Sequence, residues 1–266
     1  MSFTLVCFHA HPDDEAIATS GALAKAKADG HRTIVVFATH GELGEVPDWL
    51  DSGETLAQRR MAEAEDACAI LGVDRVEWLG YRDSGVEDDP RNADADTFHA
   101  ASLDDAAERL AQILRSERAH ILTGYDERGN YGHPDHIKVH HVGYRAARLA
   151  ATPLVYEATM DRDAILAVIR AGAAELPEGI EVPDPDDIDL GMPAEVITTE
   201  IDVRDFADVK RAAMAAHRSQ IGETSFFLQL PDEAFARTFG VEWFIRRGGP
   251  LPPAPRESDL FAPLRE

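Results

Sequence analysis

Short apolar runs alternate with amphipathic stretches along the first 160 positions. Residues 3–8, 33–38, 75–79, 120–123 and 153–157 are compact apolar runs, the pattern of strands buried on both faces. Between them, residues 16–28, 56–71, 103–117 and 136–150 carry apolar positions at helical spacing. Gly30 and Gly72 are placed to stop the first two helices, and Ser102 is placed to cap the third. Residues 39–55, 80–101 and 124–135 are polar and read as loops. Beyond residue 160 the alternation weakens. A helix is predicted over 161–174, an acidic, Pro-rich stretch over 175–193 and a strand over 196–201. A helix over 205–220, a strand over 241–246 and a Pro-rich tail from Pro250 complete the chain.

Five strand-helix alternations predict an α/β fold: a Rossmann-like, mostly parallel sheet with helices on both faces and a small C-terminal lobe. Residues 1–160 would form the core, and residues 161–266 the lobe that completes the same domain. In such sheets, sites open beyond the carboxyl ends of the strands. Two segments rich in His and Asp fall at such ends. His9-Ala10-His11-Pro12-Asp13-Asp14-Glu15 follows the first strand, and Tyr131-Gly132-His133-Pro134-Asp135-His136 follows the fourth.

Composition narrows the class of partner. The chain has 266 residues, 44% hydrophobic and 28% charged, with a formal net charge of −23. That charge opposes a nucleic-acid backbone or an anionic membrane as the main partner. Only four of the 26 basic residues are lysine, which fits a GC-rich genome or a salt-loving host. Cys7 sits in an apolar run and Cys68 in a helical pattern, so two buried free thiols are expected. The N-terminus lacks a basic, long-apolar leader and no 18-residue apolar run occurs, so a cytoplasmic location is expected.

Each His/Asp segment has a plain reading: HPDDE as a helix cap with an acidic pair, HPDH as a polar turn. Together, at two strand ends, they favour chemistry. An imidazole and a carboxylate three residues apart at a strand-to-helix turn can meet on one metal. Two His and one Asp suffice for a catalytic zinc that keeps a position open for water. Ferrous iron suits the same set.

HPDDE after the first strand and HPDH after the fourth resemble the LmbE-like/PIG-L family of zinc-dependent N-deacetylases. Gly41-Glu42-Leu43-Gly44-Glu45, Arg60, Arg82-Asp83-Ser84-Gly85, Tyr125-Asp126 and Ala216-His217-Arg218-Ser219-Gln220 extend the match. The resemblance implies His11, Asp14 and His136 as metal ligands and Asp13 as the general base acting on the attacking water. It implies His133 as the group that stabilises the oxyanion or protonates the leaving amine, with Asp135 orienting it. Tyr131 would help polarise the carbonyl, and Arg60 and Asp83 would contact substrate. His217 is expected to pack the C-terminal lobe, and His9 and His140 to be structural. The implied substrate is an N-acetylglucosamine-type sugar amide. An amidase acting on a thiol-sugar conjugate or natural-product intermediate is the alternative. A metal-dependent phosphoesterase is disfavoured by the single His-Asp-His set, and a dinucleotide site by the lack of a Gly-x-Gly-x-x-Gly turn. Homo-oligomer formation stays open, because Trp243, Phe244 and Ile245 could pack an interface as easily as a core.

Overall fold

The computed structural model describes residues 1–173, 190–251 and 255–265. Its strands are β1 (Thr4–His9), β2 (Arg32–Thr39), β3 (Arg75–Tyr81), β4 (Ile121–Tyr125), β5 (Leu154–Thr159), β6 (Thr199–Asp202) and β7 (Val241–Arg246). They form one sheet in the order β3-β2-β1-β4-β5-β7-β6. The first five are parallel, and β7 joins β5 antiparallel, with β6 antiparallel beyond it. β1 and β4 are buried at every position, which is why their sequences show unbroken apolar runs rather than alternation.

The helices are α1 (Asp14–Ala18), α2 (Ser20–Ala28), α3 (Leu56–Leu71), α4 (Leu103–Ser116), α5 (Gly129–Gly132), α6 (Pro134–Ala150), α7 (Arg162–Ala173), α8 (Ala207–Ala216), α9 (Phe226–Gln229) and α10 (Asp232–Phe239). α4 packs on α6, while α2 and α3 pack with α8, giving a helical layer on each face of the sheet. The helix expected over 16–28 is broken at Thr19, where φ is −139° and ψ is 4°. The helix expected over 205–220 ends at Ala216, because His217 leaves helical geometry (φ −82°, ψ 52°) and turns inward. α9 and α10 lie where no element was expected. Most of the stretch 175–193 lies outside the described residues, as does part of the Pro-rich tail.

The C-terminal portion extends the sheet. Phe244 is fully buried and Ile245 nearly so, within a strand flanked on both sides by β5 and β6. This strand order places the connections from β1 and from β4 on opposite sides. A crevice therefore opens between the carboxyl ends of β1 and β4, where α/β sheets hold their ligands. Both His/Asp segments end there.

Candidate functional site

The turn after β1 is built from a strained residue. Asp13 caps α1 with φ 110° and ψ −29°, in the left-handed half of conformational space that a non-glycine residue rarely visits. Its neighbour Asp14 folds back to accept the His11 N–H at 2.8 Å. The two adjacent carboxylates consequently point to different partners. Asp13 Oδ2 lies 3.2 Å from the Arg60 guanidinium. Asp14 lies 3.6 Å from His11 Nδ1 and 3.3 Å from His136 Nε2.

The second turn arrives from β4. α5 contains non-helical angles at Asn130 (φ 64°) and Tyr131 (φ −139°), which swing Tyr131 out before α6 begins. The Tyr131 ring is half exposed, yet its hydroxyl lies 3.4 Å from His136 Nε2. His133 caps α6, its Nδ1 accepting the Asp135 N–H at 3.1 Å. That bond fixes the proton of a neutral ring on Nε2, which has no protein partner among the described residues. His136 is buried and stacked on Tyr125, with centroids 4.5 Å apart.

His11, His133 and His136 each offer a ring nitrogen within 4.8 Å of the others. In a tetrahedral zinc site with Zn–N near 2.0–2.1 Å, neighbouring donors stand ~3.4 Å apart. Asp14 comes near that separation from each ring, with a different oxygen on each: Oδ2 is 3.6 Å from His11 Nδ1 and Oδ1 is 3.3 Å from His136 Nε2. His11 Nε2 lies 3.2 Å from Asp135, which is how metal-binding histidines are commonly held by their second nitrogen. The residues present fit a metal.

Burial would lower the His11 pKa, but Asp135, Asp14 and Asp83 outweigh it and hold it well above the usual imidazole value. Burial would raise that of Asp14, but His136 and His11 hold it well below the usual carboxylate range. Burial pushes Asp13 up to about 6, with Arg60 opposing and Asp14 adding. His133 is pushed down to about 4 by burial and by the positive charge of His11 and His136. Desolvation and the Asp14 charge raise the Tyr131 phenol.

Three expected roles meet a different geometry. Asp135 was expected to orient His133 through its carboxylate. The carboxylate instead accepts from Ser84 N–H and Oγ–H and faces His11, and only the backbone N–H of Asp135 touches His133. The cause is the helix start: with His133 as cap, the Asp135 side chain projects toward the β3 loop. Arg60 is buried, its guanidinium bonded to the carbonyls of Gly41 and Pro12 as well as to Asp13. Asp83 is buried too, accepting from Leu43 and Gly85 N–H and lying 3.6 Å from His11. Burial would raise the Asp83 pKa, but His11 and those amides hold it low. Both side chains brace the site's wall rather than line its opening. Cys7 and Cys68 are buried free thiols, as expected.

Sequence reading gave no role to Ser84 or Glu15, and expected His9 to be structural. His9 is buried and bridges Tyr125 OH (2.8 Å) and Thr19 Oγ1 (2.9 Å) beneath the site. His217 does pack the C-terminal portion inward, through Glu15 Oε1 at 2.6 Å. His140 lies away from the cluster, 3.1 Å from Glu157.

Residues 6–147 match the family described as PIG-L: GlcNAc-PI de-N-acetylase. A 1D-myo-inositol 2-acetamido-2-deoxy-alpha-D-glucopyranoside deacetylase of Acidothermus cellulolyticus is 42% identical over 97% of this chain and 94% of that protein. A similarly named deacetylase of Frankia alni is 39% identical over 96% of this chain and 99% of its own. The solved N,N'-diacetylchitobiose deacetylase of Pyrococcus horikoshii shares the fold, with a TM-score of 0.58 at 24% identity over 91% of this chain and 83% of that one. Among the described residues, no helix is long and apolar enough to cross a membrane.

Proposed function

This chain belongs to the PIG-L family of N-deacetylases, and from that premise we propose that it is a metal-dependent hydrolase acting on a 2-acetamido-2-deoxyglucopyranoside to give the free amine and acetate. The observation that carries the reading is the convergence of two turns 122 residues apart on Asp14, within 3.6 Å of His11 and 3.3 Å of His136. The names of the relatives supply the sugar class, and the inositol glycoside is the first substrate to try.

His11, Asp14 and His136 would hold the metal, for which zinc and ferrous iron both fit the donor set. When bound, the metal would polarise the acetamide carbonyl and make water more acidic. Asp13, with a pKa near 6, is the base that takes the proton of the attacking water near neutral pH. Arg60 keeps that carboxylate aimed. As negative charge grows on the carbonyl oxygen, Tyr131 O–H and His133 Nε2–H are the donors available to it. Neutral His133 is held in the tautomer this requires by the Asp135 N–H. Asp135 and Ser84 fix the ring of His11 from behind.

Acetate release from a panel of N-acetylglucosaminides, with metal added or chelated, tests the proposal. Turnover of the inositol glycoside that chelation abolishes and zinc or iron restores is the expected result. No acetate from any member, metal supplied, would overturn it.

A further inference from the structure

Two adjacent carboxylates at one turn can do two jobs only if something decides which way each faces. Asp13 faces Arg60 and Asp14 faces the histidines because Asp13 adopts φ 110°. Such a backbone conformation persists only when its surroundings over-determine it. Arg60 holds one side of the turn, through the Pro12 carbonyl and the Asp13 carboxylate. The Asp13 N–H is held by Glu15 Oε2 at 3.0 Å.

Glu15 does not hold it alone. Its other oxygen, Oε1, accepts from His217 Nε2 at 2.6 Å, and neither side chain has any exposure to solvent. His217 Nδ1 is buried and has no hydrogen-bond partner, so Glu15 is the imidazole's polar anchor. The turn that carries His217 is itself fixed, since Ser219 N–H and Oγ–H both donate to Glu63 on α3. A continuous chain of bonds thus runs from α3 through the 217–219 turn and Glu15 to the strained amide of Asp13.

We propose that Glu15 and His217 are positioning residues for the general base: their hydrogen bond locks Asp13 in its left-handed conformation and so assigns proton transfer to Asp13 and metal binding to Asp14. This rests on the deacetylase reading for the role of Asp13, but the geometric part does not. The acceptor pair of Glu15 must meet two donors at once. An amide at that position offers one acceptor and one donor, so it can serve the Asp13 N–H only if His217 shifts its proton to the partnerless Nδ1 and the charge-assisted bond to the carboxylate is lost.

The test uses Glu15→Gln, His217→Ala and His217→Gln in the full chain. We expect His217→Ala and Glu15→Gln to lower kcat on the order of 10–100-fold, the penalty of a misplaced reacting group, with KM and bound metal within twofold of the parent. His217→Gln, whose amide N–H can replace Nε2–H, recovers most of that loss. A crystal structure of His217→Ala shows Asp13 out of its φ near 110°. Unchanged kcat, a loss confined to KM or metal content, or a glutamine variant no better than alanine would each overturn the proposal. If His217→Ala does not fold, the isosteric Glu15→Gln decides by the same kcat, KM and metal readings. If the parent enzyme releases no acetate, the functional reading fails by itself, and the φ of Asp13 in the variants judges the pair.

Discussion

The two portions of the chain contribute differently to one site. The parallel strands β1 to β5 and their loops supply every group proposed to touch water, metal or substrate: His11, Asp13, Asp14, Tyr131, His133 and His136. The C-terminal portion supplies none, yet it reaches back through buried polar contacts, among them one onto each of α1, α3 and α2. His217 meets Glu15, Ser219 meets Glu63, and the Lys210–Glu242 pair meets the first amides of α2, Gly21 and Ala22, at 2.8 Å each. Reacting groups are thus set by local turns, whereas their aim and the stability beneath them are set by contacts across 150 to 220 positions.

The largest effect should fall on the first portion. Asp13→Asn removes the base while keeping shape and the Arg60 contact, so kcat should drop ~10²–10⁴-fold with metal content unchanged. Steady-state kinetics beside metal analysis checks this. A variant retaining a tenth of parental kcat would move proton transfer to another group.

Away from the 217–219 turn, the second portion should break in stability, not chemistry. Lys210 and Glu242 are both nearly fully buried with their charges 2.6 Å apart. Lys210→Met strands the Glu242 carboxylate, and such a loss costs about 3–5 kcal/mol, nearer the lower figure here because two backbone N–H groups remain on Glu242. Urea unfolding should show it, with kcat of the folded fraction unchanged. If kcat falls along with stability, the division between the portions is wrong.

Acidification probes the layer between them. Burial pushes His9 down to about 4, against the attraction of Asp14 and Glu15. Folded protein therefore keeps this ring neutral, while the unfolded chain takes up a proton below about 6.5. Its contribution is complete above pH 6.5 and is lost as pH falls from there toward 4, by up to about 3 kcal/mol. Urea midpoints at pH 7.5, 6 and 5 should fall more steeply for the parent than for His9→Asn. Parallel curves would mean that His9 is not held neutral.

This contrast explains what could be read from the chain. The five parallel strands, the helices between them and the two His/Asp turns are legible because each is written in consecutive residues and their order dictates where they meet. The true partners of Asp135 and Arg60 were not, since they depend on side-chain directions at a helix start and on a strained φ. Nothing near Glu15 signals a partner 202 positions away. Nor does local pattern say that β7 inserts between β5 and β6.

The smallest effect tests the most local feature. Ser102 was identifiable as a helix cap from its place before an amphipathic run, and its Oγ accepts the Asp105 N–H at 3.4 Å. That bond is long and solvent-exposed, so Ser102→Ala should cost about 1 kcal/mol or less. α4 packs on α6, yet the cap lies at the exposed start of α4 and carries no contact to the histidines, so kcat and KM should not move. A drop in kcat would show that strain at a helix end far from the turns is transmitted along α6 to His136. In that case even the parallel portion would depend on long-range support, and the separation between groups that react and contacts that aim them would not hold.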